Sequence, residues 1–128
     1  MKKLLLVAFS VLLLTACSKD DDATIVGKWY FYKSTFYESG QETVEMHVNE
    51  CPTKKDYIKF ENDDVALSYF YDDQCIENLY SSFYTLDGTD LTIDGDACEV
   101  ILLNSSTLKI KQFSTLTPGD YDIFEFKK

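Results

Sequence analysis

Tyr84-Thr85-Leu86-Asp87-Gly88-Thr89-Asp90-Leu91-Thr92-Ile93 reads as a β-hairpin. Tyr84 and Leu86 flank Thr85 before the break, and Leu91 and Ile93 flank Thr92 after it. Successive strand side chains point to opposite faces, and Tyr84, Leu91 and Ile93 are assigned to the inner one. Asp87-Gly88 supplies the turn, because glycine reaches the left-handed backbone that tight hairpins need.

The pattern repeats outward in both directions. Short runs rich in β-branched and aromatic residues predict strands over Val26–Tyr37, Glu42–Val48, Asp56–Glu61, Val65–Tyr71 and Leu79–Leu86. Four more follow at Asp90–Asp94, Cys98–Leu103, Thr107–Phe113 and Tyr121–Lys127. The breaks between them carry turn residues: Ser39-Gly40, Asn62-Asp63-Asp64, Asp94-Gly95, Asn104-Ser105-Ser106 and Pro118-Gly119. Helical periodicity is absent after the first 16 residues. Nine short strands at even spacing predict an all-β antiparallel barrel or sandwich.

The N-terminus is built differently. Lys2 and Lys3 precede an apolar run, Leu4 to Leu14, of 11 residues. That is shorter than the roughly 20 residues a membrane-spanning helix needs. A charged start, a short apolar stretch and small residues before a cut read as a signal peptide over residues 1–16. Its ending, Leu14-Thr15-Ala16-Cys17, resembles the lipobox of bacterial lipoproteins. That resemblance implies a diacylglyceryl group on Cys17 and cleavage before it. Residues 17–24 then form a tether in which Ser18, Lys19, Asp20, Asp21 and Asp22 are too polar to bury anything. The acidic run resembles the export signal that displays some lipoproteins on the surface of Gram-negative bacteria. The expected location is therefore the outer membrane, lipid-anchored and exposed to the outside.

Charge limits the partners. The chain carries net charge −10 and no arginine, and losing Lys2 and Lys3 with the leader takes it to −12. Such a chain repels phosphate backbones, so nucleic acid is not an expected partner. It is repelled equally by an anionic bilayer, which leaves attachment to the lipid on Cys17.

Cys51, Cys75 and Cys98 remain, and three thiols allow one internal pair in three ways. The Asp56–Glu61 and Val65–Tyr71 strands favour Cys51–Cys75. Matching Ile58 and Phe60 with Val65 and Leu67 puts the apolar residues on one face, with Phe60 opposite Val65. Cys51 then faces position 74, and a single bulge brings it to Cys75. Paired residues about 4.5–5.5 Å apart at Cα suit a disulfide. Cys98 shares parity with Val100 and Leu102 and is expected as a small buried residue.

The domain, residues 25–128, resembles the lipocalin-like domain of small bacterial lipoproteins. The likeness rests on Ile25-Val26-Gly27-Lys28-Trp29, on the Cys51 and Cys75 pair, on Tyr84 to Ile93, and on Val100-Ile101-Leu102-Leu103-Asn104-Ser105-Ser106-Thr107-Leu108-Lys109-Ile110. It implies an up-and-down barrel of about eight to ten strands. It also implies a binding rather than a catalytic protein.

Chemical motifs agree with that. His47, the only histidine, stands in an alternating strand with no partner indicated. There is no Cys-x-x-Cys, His-Glu-x-x-His, Walker loop or Gly-x-Ser-x-Gly. Asp87, Asp90, Asp94 and Asp96 sit at hairpin turns, where aspartate bonds its own backbone. No catalytic residue, metal or cofactor is expected. The aromatics are the remaining signal. Trp29 and Phe31 share a face of the first strand, and Ile58, Phe60, Val65, Leu67 and Tyr69 are assigned to one inner face. Tyr84, Leu91, Ile93, Val100 and Leu102 extend it. The expected ligand site is Trp29, Phe31, Phe60, Leu67 and Tyr69, for a small hydrophobic molecule. The alternative is a filled barrel acting as a structural or protein-interaction subunit of a surface complex.

Overall fold

The computed structural model describes residues 23–128. The leader, Cys17 and the acidic tether through Asp22 lie outside the described residues. Nine strands follow in order: β1 (Gly27–Glu38), β2 (Gln41–Met46), β3 (Tyr57–Phe60), β4 (Val65–Tyr71), β5 (Glu77–Asp87), β6 (Asp90–Ile93), β7 (Asp96–Leu103), β8 (Thr107–Phe113) and β9 (Tyr121–Lys127). Every predicted strand is present, with ends that differ by at most two residues.

Each strand from β3 to β9 pairs antiparallel with the next, and β9 returns to pair with β1. Eight strands therefore close into an up-and-down barrel, with no free sheet edge left over most of its wall. The ninth, β2, is an appendage. β1 is long enough to use one edge twice: Gly27–Tyr30 pair with β3, and Lys33–Glu38 pair with β2. Ser39-Gly40 makes the β1–β2 turn with positive φ at both positions, 50° and 79°, as a type I′ hairpin requires.

Two ends result. The closed end collects the turns after β3, β5 and β7 together with both termini of the domain. Trp29, Phe60, Leu91 and Leu108 are completely buried there, with Ile25, Ala66, Val100 and Phe126 around them. Each large side chain removed from water contributes roughly 1.5–3 kcal/mol. Trp29 keeps its indole N–H satisfied by donating to the Ile25 carbonyl at 2.7 Å. The open end is looser because β3 and β6 are only four residues each. Residues 77–82 of β5 pair with β4 alone, so the wall splays there.

Register corrects the sequence reading in two places. Phe60 pairs with Ala66, not with Val65. A slip of one residue exchanges the two faces of a strand. Ala66, Ser68 and Phe70 therefore point inward, while Val65, Leu67, Tyr69 and Tyr71 stand outside. The same slip removes the need for a bulge at the cysteines. Carried past the strand ends, the observed register sets Cys51 opposite Cys75, and the two are bonded with Cα atoms 4.9 Å apart. The second correction is a bulge between Val100 and Leu102 on β7. It turns Leu102 outward and brings Leu103 against the core.

Candidate functional site

Alternation along β4, β5 and β9, and along β1 with its register shift between Phe31 and Lys33, places Phe31, Phe36, Phe70, Tyr80 and Phe124 on the inner face toward the open end. Phe31 stacks on Phe70 with ring centroids 5.1 Å apart, and Tyr80 meets Phe70 edge-on at 5.9 Å. Phe31 also touches Phe126 of the core at 5.1 Å. The result is an aromatic line from the rim to the core. Its outer member, Tyr80, is 60% exposed although it faces inward, and Phe31, Phe36, Phe70 and Phe124 are half-buried. Inner-face aromatics that keep this much surface mark an unfilled cup.

The rim of the cup is held by polar contacts. Asp56 ends the β2–β3 loop and is only 5% exposed. Its carboxylate accepts from the Tyr71 backbone N–H at 2.9 Å and lies 2.8 Å from His47 Nε2. The Asp56 backbone N–H donates to Asn49 Oδ1 at 2.7 Å, and its carbonyl accepts from the Phe31 N–H. The His47 ring lies over Phe31 at 5.2 Å between centroids. His47 and Asp56 thus pin the loop against the aromatic line, a role that needs no chemistry from either. At the same end, the Asp94 carboxylate accepts from the Phe83 N–H at 2.8 Å, a bond across to β5 rather than within its own turn.

The five residues assigned to a ligand site separate into three groups. Phe31 belongs to the cup. Trp29 and Phe60 are inward but completely buried at the closed end. Leu67 and Tyr69 are outside the barrel, where Tyr69 stacks on Tyr57 at 4.5 Å. The reason is the register of β4, since the sequence offers two apolar sets on that strand and the more apolar one faces out. Sequence reasoning missed Phe36, Phe70, Tyr80 and Phe124. Phe70 and Tyr80 become visible once Phe60 is paired with Ala66.

Cys98 is buried and reduced beside β6, as its parity indicated. Burial raises its thiol pKa, and the Asp96 charge adds to the rise. A thiol held protonated in this way is a poor nucleophile.

A small closed β-barrel with an aromatic cup at one end and a packed core at the other is a lipocalin-like architecture. The chain belongs to the lipocalin-like domain family, whose model matches residues 25–110. Two solved structures share the fold. One is a lipocalin-like protein from Bacteroides uniformis, with TM-score 0.56 and 15% identity, covering 77% of this chain and 94% of that one. The other is an uncharacterised protein from Bacteroides eggerthii, with TM-score 0.57 and 12% identity, covering 80% and 98%. No curated protein matches.

Proposed function

We propose that this chain is a non-catalytic binding module, anchored by lipid on Cys17 and displayed on the surface of a Gram-negative outer membrane, that takes a small apolar ligand in the open end of its barrel. The observation that carries the ligand site is the half-buried line Tyr80–Phe70–Phe31, which offers apolar surface that the fold itself leaves uncovered. Orientation supports the anchoring. Residue 24 enters at the closed end, so a tether from Cys17 spans at most about 3.3–3.6 Å per residue from there and leaves the cup facing away from the bilayer.

The ligand reading is tested by titrating the protein with a fatty-acid probe. Saturable binding at micromolar concentration is expected, abolished by Phe70→Glu and unaffected by Leu67→Glu. Equal loss in both variants, with both folded, sinks it. For the anchor, Cys17→Ala is expected to block leader cleavage and incorporation of a labelled fatty acid, and unchanged labelling refutes it. Alanine at Asp20, Asp21 and Asp22 should protect the protein from protease added to intact cells. Unchanged digestion counts against a sorting role for the tether.

One observation favours a second reading, a subunit of a surface protein complex. Phe83 is 74% exposed on the outer wall and Leu79 stands nearby on the same face of β5. Retention of a partner by the wild type but not by Phe83→Ser would support it.

A further inference from the structure

The lysines of this acidic protein divide into two kinds. Lys33, Lys109 and Lys127 surround Glu125, and Lys59 pairs with Glu61. Among the described residues, Lys28, Lys54, Lys55, Lys111 and Lys128 pair with no side-chain carboxylate. Three of these, Lys54, Lys55 and Lys128, line one cleft of about 490 Å³ with Tyr30, Tyr57 and Tyr71. No acidic side chain lines it. Three lysines in one lining with no acidic side chain stand out where the whole chain carries −10.

The cleft is also prearranged. Lys54 Nζ sits 4.9 Å above the Tyr71 ring and Lys55 Nζ 5.9 Å above Tyr30. Lys128 Nζ lies 4.6 Å from the ring of Trp29, at the closed end rather than over a cleft tyrosine. Ring faces attract cations and so limit where each ammonium rests. The loop bearing Lys54 and Lys55 is fastened on both sides. Thr53 Oγ1 contacts both sulfurs of the Cys51–Cys75 disulfide, at 3.5 and 3.7 Å, and Asp56 fixes the loop end. Holding donors in place before binding lowers the ordering cost of recognition. The Tyr71 hydroxyl donates to Glu77 at 3.3 Å. Burial first, then Tyr57 and Glu77, pushes its pKa up to about 12, which keeps it a donor across the physiological range.

We infer that this cleft is a second binding site, outside the barrel, for an acidic sugar: a ring carrying a carboxylate. The lysines supply charge-assisted hydrogen bonds to the carboxylate, and the phenol and threonine hydroxyls suit the ring hydroxyls. Concavity decides between a sugar and an anionic membrane. An extended anionic surface meets the net charge of the whole molecule. A single ring inside the cleft meets Lys54 and Lys55 at contact, while the rest of the charge is screened over a Debye length of about 8 Å.

The test is calorimetric titration of the full chain with a galacturonic acid trimer, and it is independent of the apolar cup. Binding that weakens with added salt is expected. Lys54→Gln with Lys55→Gln, which keeps polar side chains on the same loop, should weaken it about tenfold or more. Lys111→Gln, on β8, should leave it unchanged. Maltotriose, a neutral trimer, should not bind. The inference is overturned if maltotriose binds equally, if Lys111→Gln is as damaging as the double variant, or if no trimer binds. Citrate binding as tightly as the trimer would reduce the site to charge alone and also overturn it. So would binding only to vesicles containing phosphatidylglycerol, which would make the patch a membrane contact.

Discussion

The two ends of the barrel are made from the same strands and obey the same alternation, yet only one of them is finished. At the closed end Trp29, Phe60, Leu91 and Leu108 lose all contact with water. At the open end, Phe31, Phe36, Phe70 and Phe124 face the same interior and stay only partly buried. The boundary is the irregularity in β1 between Phe31 and Lys33, which resets its register against β9. Below it, short strands hold eight walls close together. Above it, β3 and β6 have ended, and Phe31, Phe70 and Tyr80 touch one another without a further layer to cover them. Apolar surface left uncovered by the fold is what a ligand can cover.

The strongest way to break this comparison is at β4. Ala66→Asp puts a carboxylate into the closed end with no partner, which is expected to unfold the domain. Leu67→Asp, one residue on, is expected to cost about 1 kcal/mol or less, because it faces outward. Denaturant melts of the pair decide the register, and equal damage would restore the alternative pairing. Trp29→Ala should cost about 3–5 kcal/mol by leaving a cavity in the closed end. Removing the disulfide with Cys51→Ala and Cys75→Ala should cost roughly 3 kcal/mol in the chain-entropy model. It acts at the open end, so it should also loosen the β2–β3 loop, visible as faster amide exchange around Asp56. Phe70→Ala should cost only about 1–2 kcal/mol, since the ring is half-exposed, while removing affinity for an apolar probe. A loss of stability as large as that of Trp29→Ala would mean the cup is filled core after all.

The smallest expected effect lies on the outer wall beside the boundary. Burial raises the pKa of Glu125, but the hydrogen bond from Lys127 and the charges of Lys109, Lys127 and Lys33 outweigh it, leaving it below the ordinary value of 4.5. A carboxyl depressed on folding stabilises the fold above its unfolded pKa and loses that contribution as pH falls through the folded one. The difference in stability between wild type and Glu125→Gln should therefore be constant from neutral pH down to about that ordinary value and shrink in more acidic solution. Its size should be about 1 kcal/mol or less, because the lysines are partly exposed. A difference that grows on acidification would contradict the assignment.

Much of the fold was legible because its signals are local. Ser39-Gly40 and Asp94-Gly95 name their turns, and in both turns both residues take positive φ. Alternation around Asp87-Gly88 gave the inner face correctly, with Tyr84 and Leu91 buried. The disulfide was legible from the hairpin, although by way of a bulge that the observed register dispenses with. The ligand site was legible only in part, since Phe31 alone of its five residues lies in the cup. β4 carries two apolar sets, Val65-Leu67-Tyr69-Tyr71 and Ala66-Ser68-Phe70. Hydrophobicity selects the first. The fold selects the second: Phe60 and Tyr84 meet edge to face 5.0 Å apart in the closed end, and the small Ala66 is buried on the same face.

The sequence by itself determined the strands, their turns and the covalent link, because each depends on neighbours in the chain. Register, the bulges in β1 and β7, and the gathering of Lys54, Lys55 and Lys128 belong to the tertiary structure. They depend on which volumes remain when eight strands close on one another, and that quantity is defined only once every wall is in place.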